Sequence, residues 1–185
     1  MHNHSNKKTR RDVFMNKSIR FLAKTAMVAA IYAVLTVLIA PLAYGAVQFR
    51  FTEIMTLLAF VDPLYIPGLL TGCFIANLFG SGGMIDAVFG TLHSAVSLMM
   101  LYFSARWFRN RPTLGLIVSS LWFSIFSFII AYEMTMLVGL EGSFWFWTGS
   151  VALGEFVVIT IIGVPLFSYL LSKSYIVKII KKIRD

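Results

Sequence analysis

The sequence predicts an all-α membrane protein with six transmembrane helices, the second of them short. Three observations predict this fold class. The 185 residues are 58% hydrophobic with a mean hydropathy of +0.81, well above the composition of an ordinary soluble domain. Apolar runs recur along nearly the whole chain, as transmembrane helices require. Basic residues are confined almost entirely to the two ends and one linker, as in the flanks of membrane spans.

Six hydrophobic segments are expected, at residues 22–42, 51–61, 64–80, 84–105, 113–137 and 147–172. The second segment is too short to cross a hydrocarbon core of about 30 Å as a straight helix. The Asp62-Pro63 pair that follows it reads as a turn, because proline lacks a backbone N–H and starts a helix well. We therefore expect the second and third segments to form a broken hairpin.

The basic residues predict which ends face the cytoplasm. Nearly all of the 16 Lys and Arg lie in the first 24 residues, in the linker RWFRNRP and after residue 172. Basic flanks of this kind are cytoplasmic, and six spans place all three on one side. We expect a multi-pass cell-membrane protein with a disordered start, a basic cytoplasmic tail over 1–21, a membrane domain over 22–172 and a cytoplasmic tail over 173–185. This charge distribution does not indicate nucleic-acid binding.

Polar side chains recur near the outer ends of the apolar segments. A charged side chain in hydrocarbon costs about 2.5–3.5 kcal/mol or more, so such residues usually line cavities. We therefore expect a water-accessible pocket that opens outward. Flat aromatic rings beside carboxylates favour a planar ligand with several N–H donors. The candidate pocket residues are Arg50, Glu53, Asn77, Asp86, His93, Glu133 and Glu155, with Phe49, Trp145 and Trp147 as aromatic surfaces.

Most of these residues also have a structural explanation, which stays open at this point. Glu155 is the deepest and the hardest to explain by structure alone. The structural alternatives are an i,i+3 ion pair for Arg50 and Glu53, a helix cap for Asp86, an interfacial position for Glu133, an interhelical hydrogen bond for Asn77, a hydrogen bond to a backbone carbonyl for His93, and an interfacial aromatic belt for Trp145 and Trp147.

The first segment carries small residues at helical spacing. Ala26 and Ala30, and likewise Ala29 and Ala33, follow a small-xxx-small pattern. Such a face lets another helix approach closely, either within this chain or from a partner.

Other motifs limit the chemistry. The chain has no P-loop, and Cys73 is its only cysteine, so neither an intrachain disulfide nor Cys/His zinc spacing is present. We expect no metal and no cofactor. The stretch NLFGSGG is similar to the Gly-Ser-Gly of intramembrane serine proteases. A small intramembrane enzyme that uses Ser81 and His93 is therefore a rival hypothesis.

Several stretches carry a resemblance to a known family. They are KTAMVAAIYAVLT, VQFRFTEIMTLLAF, IPGLLTGCFIANLFG, IDAVFGTL and the Gly154-Glu155 pair. Over essentially residues 21–172 the chain resembles the substrate-binding S component of an energy-coupling factor (ECF) transporter, and among those the QueT family.

The resemblance implies a six-helix transporter subunit, not an enzyme, from a Gram-positive bacterium. Its substrate would be a queuosine precursor, a 7-deazaguanine salvaged for tRNA modification, with Glu155 or Asp86 on the guanine-like edge and Trp147 or Phe49 stacking. Another vitamin, such as thiamin, riboflavin or folate, is the alternative substrate. The resemblance also implies a membrane partner, EcfT, with two ATPase subunits, docked on the face formed by Ala26, Ala29, Ala30 and Ala33.

Overall fold

The computed structural model describes residues 3–43 and 48–173, and no β-strand occurs among them. A short helical turn, Ala40–Ala43, follows the first helix. The helices are α1 (Asn3–Leu38), α2 (Phe51–Val61), α3 (Pro63–Asn77), α4 (Met84–Trp107), α5 (Pro112–Leu137) and α6 (Phe144–Ser172).

Four helices in the described ranges are long and apolar enough to cross a membrane: Ser18–Leu38 within α1, and the whole of α4, α5 and α6. The all-α prediction is therefore confirmed, and every predicted segment falls on a helix. The six-span count is not confirmed, because α2 and α3 are shorter apolar helices of 10–17 residues. At about 1.5 Å per residue, neither reaches across a core of about 30 Å alone.

The break between α2 and α3 has a local cause in the sequence. Asp62 is extended, with φ −147° and ψ 114°, and its Oδ1 accepts a hydrogen bond from the Leu64 backbone nitrogen at 3.0 Å. Asp62 is thus the N-cap of α3, and Pro63 follows at the first helical position, where its missing N–H has no cost. The predicted turn between the second and third segments is present.

Two sequence expectations differ from the structure at α1. The helix begins at Asn3, so the basic tail is helical from there onward where disorder was expected. The helix ends at Leu38 instead of residue 42, because Pro41 has no N–H to continue the hydrogen-bond ladder. The expectations for residues 1–2 and 174–185 lie outside the described residues.

Helix α1 packs against α3 through two glycines. A Cβ added at Gly68 would lie 2.9 Å from the Thr25 carbonyl oxygen, and one at Gly72 would lie 2.8 Å from the Ala29 carbonyl oxygen. The two backbones are therefore as close as glycine allows. Tyr32 is buried on the same face and belongs to the main hydrophobic core.

The alanines of α1 divide between two faces. Ala29 and Ala33 are buried, and the Ala29 backbone meets α3 at Gly72. Ala26 and Ala30 are exposed. Ala29 and Ala33 therefore pack within this chain, so the predicted partner-docking face cannot include them as exposed residues. Docking of a partner on Ala26 and Ala30 stays a prediction.

We expect Gly72→Ala to lower the thermal unfolding midpoint in detergent, because the added methyl group must push α1 away from α3. Overpacking of this kind costs about 1–3 kcal/mol. Gly149→Ala is the matched control, since a Cβ there meets nothing within 4 Å. Equal midpoints for the two variants would contradict close packing at Gly72.

Candidate functional site

A small polar cavity of about 220 Å³ lies at one end of the helix bundle. It is enclosed by the start of α4, the end of α5, the start of α6 and the segment before α2. Three ionisable side chains, a glutamine, a serine and a tryptophan share the wall with apolar residues of α5 and the following loop. The lining residues are Gln48, Arg50, Ser81, Asp86, Ile130, Glu133, Met134, Val138, Leu140 and Trp147.

The glycine-rich loop before α4 wraps around Asp86. The Gly82 backbone nitrogen donates to Asp86 Oδ2 at 2.9 Å. A Cβ at either Gly80 or Gly82 would collide with the same carboxylate. Gly83 is the N-cap of α4 and has φ +57°, a backbone conformation that favours glycine. The GSGG sequence therefore holds this carboxylate at the start of α4, where the helix dipole favours an anion.

Glu133 faces Asp86 across the cavity. Its side chain is buried, and its carboxyl group and that of Asp86 line the same small cavity. Glu133 Oε1 has no hydrogen-bond partner among the described residues. The residue begins a π-helical stretch, Glu133–Leu137, at the end of α5. π-Helical turns are rare and frequent at functional sites.

Trp147 closes the cavity from α6. Its indole nitrogen donates to the Glu141 carbonyl oxygen at 3.3 Å. The ring packs in a second apolar cluster with Ile130, Met134 and Val151. Ser143 is the N-cap of α6, and its hydroxyl accepts from the Phe146 backbone nitrogen at 3.4 Å. These contacts fix the first turn of α6 and with it the position of the indole.

Behind the cavity wall lies a cluster of one base and two acids. Arg50 Nη1 is 3.7 Å from Glu53 Oε1, which is within ion-pair distance but too long for a hydrogen bond. Glu53 is fully buried, and its carboxyl group lies beside that of Glu155. Arg50 also donates from Nε to the Ala43 carbonyl oxygen at 3.4 Å. Both Glu53 oxygens and Oε2 of Glu155 lack hydrogen-bond partners among the described residues.

Both acids of this cluster lie within or directly before an irregular helical segment. Glu53 lies in Phe51–Leu57, a 3₁₀ stretch of seven residues that begins α2. Glu155 is the last residue before the π-helical stretch Phe156–Gly163 in α6. A Cβ at Gly154 would collide with the Gln48 carbonyl oxygen, so this glycine lets the segment before α2 lie directly on α6. The Gly154-Glu155 pair thus combines close approach with a buried acid.

Four predicted site residues line the cavity: Arg50, Asp86, Glu133 and Trp147. Glu53 and Glu155 lie behind Arg50, and Phe49 is partly buried against the main core. Sequence analysis missed Gln48, whose Nε2 lies 3.9 Å from the Met134 sulfur. It also missed the apolar wall of α5, because those residues resemble any membrane-facing side chain. The position of Gln48 in the QFR stretch, two residues before Arg50, could have indicated that it lies at the cavity.

The other predicted residues lie elsewhere. Asn77 Nδ2 donates to the Cys73 sulfur at 3.2 Å and packs against Gly90, at the crossing of α3 and α4. His93 is buried, and its Nε2 lies 3.0 Å from the Phe123 carbonyl oxygen, which only accepts, so Nε2 carries the proton. Trp145 is 76% exposed on the outer surface. Two residues apart on one helix, Trp145 and Trp147 face in different directions.

A Ser81–His93 dyad is not formed. Ser81 lies in the loop before α4 and lines the cavity, whereas the His93 ring is directed toward α5. Within the described ranges, no group of three or more His, Cys, Asp or Glu side chains is arranged to hold a metal ion.

Long apolar helices around a small polar cavity define a multi-spanning membrane protein with a candidate binding pocket. The family model described as "QueT transporter" matches residues 22–172. The chain therefore belongs to the QueT transporter family, and it is a transporter, not an enzyme. It is 33% identical over 151 residues to "Queuosine precursor transporter QueT" of Lactococcus lactis subsp. cremoris (strain MG1363), with 77% of this chain and 88% of the relative covered. No solved structure matches the chain.

We expect Arg50→Gln to lower the thermal unfolding midpoint substantially. The change leaves Glu53 and Glu155 buried without their cation, and breaking a buried pair in this way costs about 3–5 kcal/mol. Arg50→Gln combined with Glu53→Gln should recover part of the loss, because one uncompensated acid is removed. Arg109→Gln, at an exposed arginine, is the control and should leave the midpoint unchanged. A midpoint for Arg50→Gln equal to that of the control would contradict a stabilising role for the ion pair.

Proposed function

We propose that this chain is the substrate-binding subunit of an ECF-type importer and that it takes up a queuosine precursor of the 7-deazaguanine class. Membership of the QueT transporter family and similarity to the queuosine precursor transporter of Lactococcus lactis support this substrate. The observation that carries the proposal is the pair of facing carboxyl groups of Asp86 and Glu133 beside Trp147, inside a small cavity. The ECF role fits the family.

The chemistry of the cavity suits a guanine-like edge. Such an edge presents several N–H donors on a planar ring, and the acceptors of Asp86 and Glu133 would bind them. Glu133 Oε1 is buried with no partner among the described residues, so a ligand donor there would remove an unpaired acceptor. An aminomethyl substituent would add a cation that two acids favour. Trp147 supplies an apolar surface for the ring.

The size of the cavity favours a free base over a nucleoside. Its volume of about 220 Å³ lies below the roughly 300–1,000 Å³ of pockets for drug-sized ligands. A base fits this space, whereas an attached sugar needs the pocket to open further. Arg50 lines the cavity and holds Glu53 and the Ala43 carbonyl. We assign Arg50 a positioning role, in which it holds the segment after α1 against the pocket.

The partner assignments follow from the same proposal. EcfT would dock on the exposed part of α1, which includes Ala26 and Ala30, and two ATPase subunits would supply the energy. The pocket end would face outward and the three basic flanks would face the cytoplasm. This orientation rests on the distribution of Lys and Arg.

We expect Glu133→Gln and Asp86→Asn each to weaken binding of an aminomethyl-7-deazaguanine by about 10- to 100-fold, since a hydrogen bond to a charged group contributes about 1.5–3 kcal/mol. Calorimetric titration of the purified full chain measures this. Glu141→Gln is the matched control, because its side chain is exposed and only its backbone carbonyl contacts Trp147. Unchanged affinity in both cavity variants would place the ligand elsewhere.

The same titration should include queuosine, guanine, thiamin and riboflavin. Binding of the base but not the nucleoside is expected. Tight binding of thiamin or riboflavin with no binding of any deazaguanine would reject the substrate and retain the S-component role.

We further expect the chain alone to bind ligand in liposomes without accumulating it, because it has no P-loop and the proposed ATPase subunits are separate chains. Uptake of radiolabelled substrate should require EcfT, both ATPase subunits and ATP. Accumulation by the chain alone, driven by a proton gradient, would identify a carrier that works without partners.

A further inference from the structure

A second, larger cavity lies at the opposite end of the molecule from the polar pocket. It has a volume of about 780 Å³ and is bounded by the last two turns of α4, by Phe108 and by the early turns of α5. Most of its wall is apolar or aromatic, and one basic residue stands at its edge. The lining residues are Met100, Tyr102, Phe103, Ser104, Arg106, Trp107, Phe108, Val118 and Trp122. We call this cavity the α4–α5 groove.

The floor of the α4–α5 groove is held by specific contacts. Trp122 Nε1 donates to the Ser104 hydroxyl oxygen at 2.9 Å, which joins α5 to α4. The Trp122 ring stacks on Phe126, with ring centroids 5.8 Å apart. Phe103 is about half exposed beside this floor, and Trp107 is 86% exposed. The groove is therefore a preformed apolar channel that opens to the outside of the bundle.

Its rim carries positive charge without an acidic partner. Arg106 Nη1 donates to the Tyr102 hydroxyl at 2.9 Å, which orients the guanidinium over the groove. The ion pair found in the described part of the chain is Arg50–Glu53, so no carboxylate pairs with Arg106 there. Arg109 and Arg111 follow in an exposed linker that has no Asp or Glu. The Arg106 guanidinium at the rim is thus available to an anion, and the two linker arginines add positive charge nearby without lining the groove.

The depth of the groove matches a lipid. α4 has 24 residues, so at about 1.5 Å per residue it is roughly 36 Å long and reaches the headgroup layer at both ends of a core of about 30 Å. Arg106 and Trp107 are its last two residues, and arginine and tryptophan at a helix end are typical of the membrane interface. An apolar channel with a guanidinium at headgroup depth fits a phospholipid, with an acyl chain in the channel and the headgroup phosphate at the guanidinium.

We propose that the α4–α5 groove binds one anionic phospholipid, with its phosphate on Arg106 and an acyl chain between Phe103, Val118 and Trp122. The charge complementarity of the rim and the apolar wall below it select this ligand. Guanidinium groups bind phosphate through two parallel hydrogen bonds. The site is separate from the polar pocket and does not depend on the substrate proposed for it.

The test uses the delipidated full chain and native mass spectrometry. We expect phosphatidylglycerol to remain bound at several-fold higher occupancy than phosphatidylcholine with the same acyl chains. Arg106→Gln should reduce phosphatidylglycerol occupancy at least fivefold and remove the preference. Val118→Trp, which fills the groove, should reduce both lipids. Arg109→Gln is the matched control and should retain most of the preference, because Arg109 does not line the groove.

A second readout keeps the proposal testable if a variant folds poorly. The wild-type chain should unfold at a higher temperature with phosphatidylglycerol than with phosphatidylcholine, and inorganic phosphate should not reproduce the shift. Equal binding of the two lipids would overturn the proposal. Equal losses in Arg106→Gln and Arg109→Gln would also overturn it, since they would indicate a diffuse attraction to the linker. Stabilisation by phosphate alone would identify a free-anion site.

Discussion

The buried contact of Arg50 with Glu53, beside Glu155, is the constraint on which the rest of the structure depends. These side chains come from α2, α6 and the segment before α2, and all are buried. An uncompensated charge in this surrounding is strongly destabilising, so the three elements have to stay together. Arg50 also reaches the Ala43 carbonyl oxygen, which ties the end of the α1 region to the same cluster. Arg50 contacts Glu53 and also lines the polar cavity.

The irregular backbone of the helices lies at or next to the buried glutamates. Glu53 lies in a 3₁₀ stretch, Glu133 begins a π-helical stretch and Glu155 immediately precedes another. A regular α-helix satisfies its own backbone, and departures from it in a membrane are tolerated where the backbone is buried in protein or lines a cavity. Here the departures coincide with the three buried glutamates. Regular α-helical geometry is thus interrupted at or next to the positions where acidic side chains are buried.

Hydrophobic periodicity and length were sufficient to predict the helices, the short α2 and the Asp62-Pro63 turn, because these depend on local chemistry. The depth of each polar residue along its helix could also be predicted from the sequence, and this placed Asp86, Glu133 and Trp147 at the same end of the bundle. The side of each helix on which a polar residue lies could not be predicted. Neither His93 nor Asn77 faces the cavity. His93 donates to the Phe123 carbonyl oxygen of α5, and Asn77 packs against Gly90 of α4 while it donates to the Cys73 sulfur on its own helix. The side on which such a residue lies depends on how the helices pack, which a single sequence does not encode locally.

The separation of α1 from the cavity limits how docking and binding can communicate. Among the side chains of α1 that the structure describes, none lines the polar cavity, and α1 packs closely on α3 at Gly68 and Gly72. Two hydrogen bonds join the α1 region to the chain around Arg50. The Ala43 carbonyl, which follows α1, accepts from Arg50, and the Thr36 hydroxyl of α1 is bonded to the Thr52 hydroxyl of α2 at 2.6 Å. A partner that displaces the end of α1 would therefore break these hydrogen bonds or move the segment that holds Arg50 and Thr52. Movement of Arg50 would change the charge that faces Asp86 and Glu133, because Arg50 is the basic residue on that wall within the described residues.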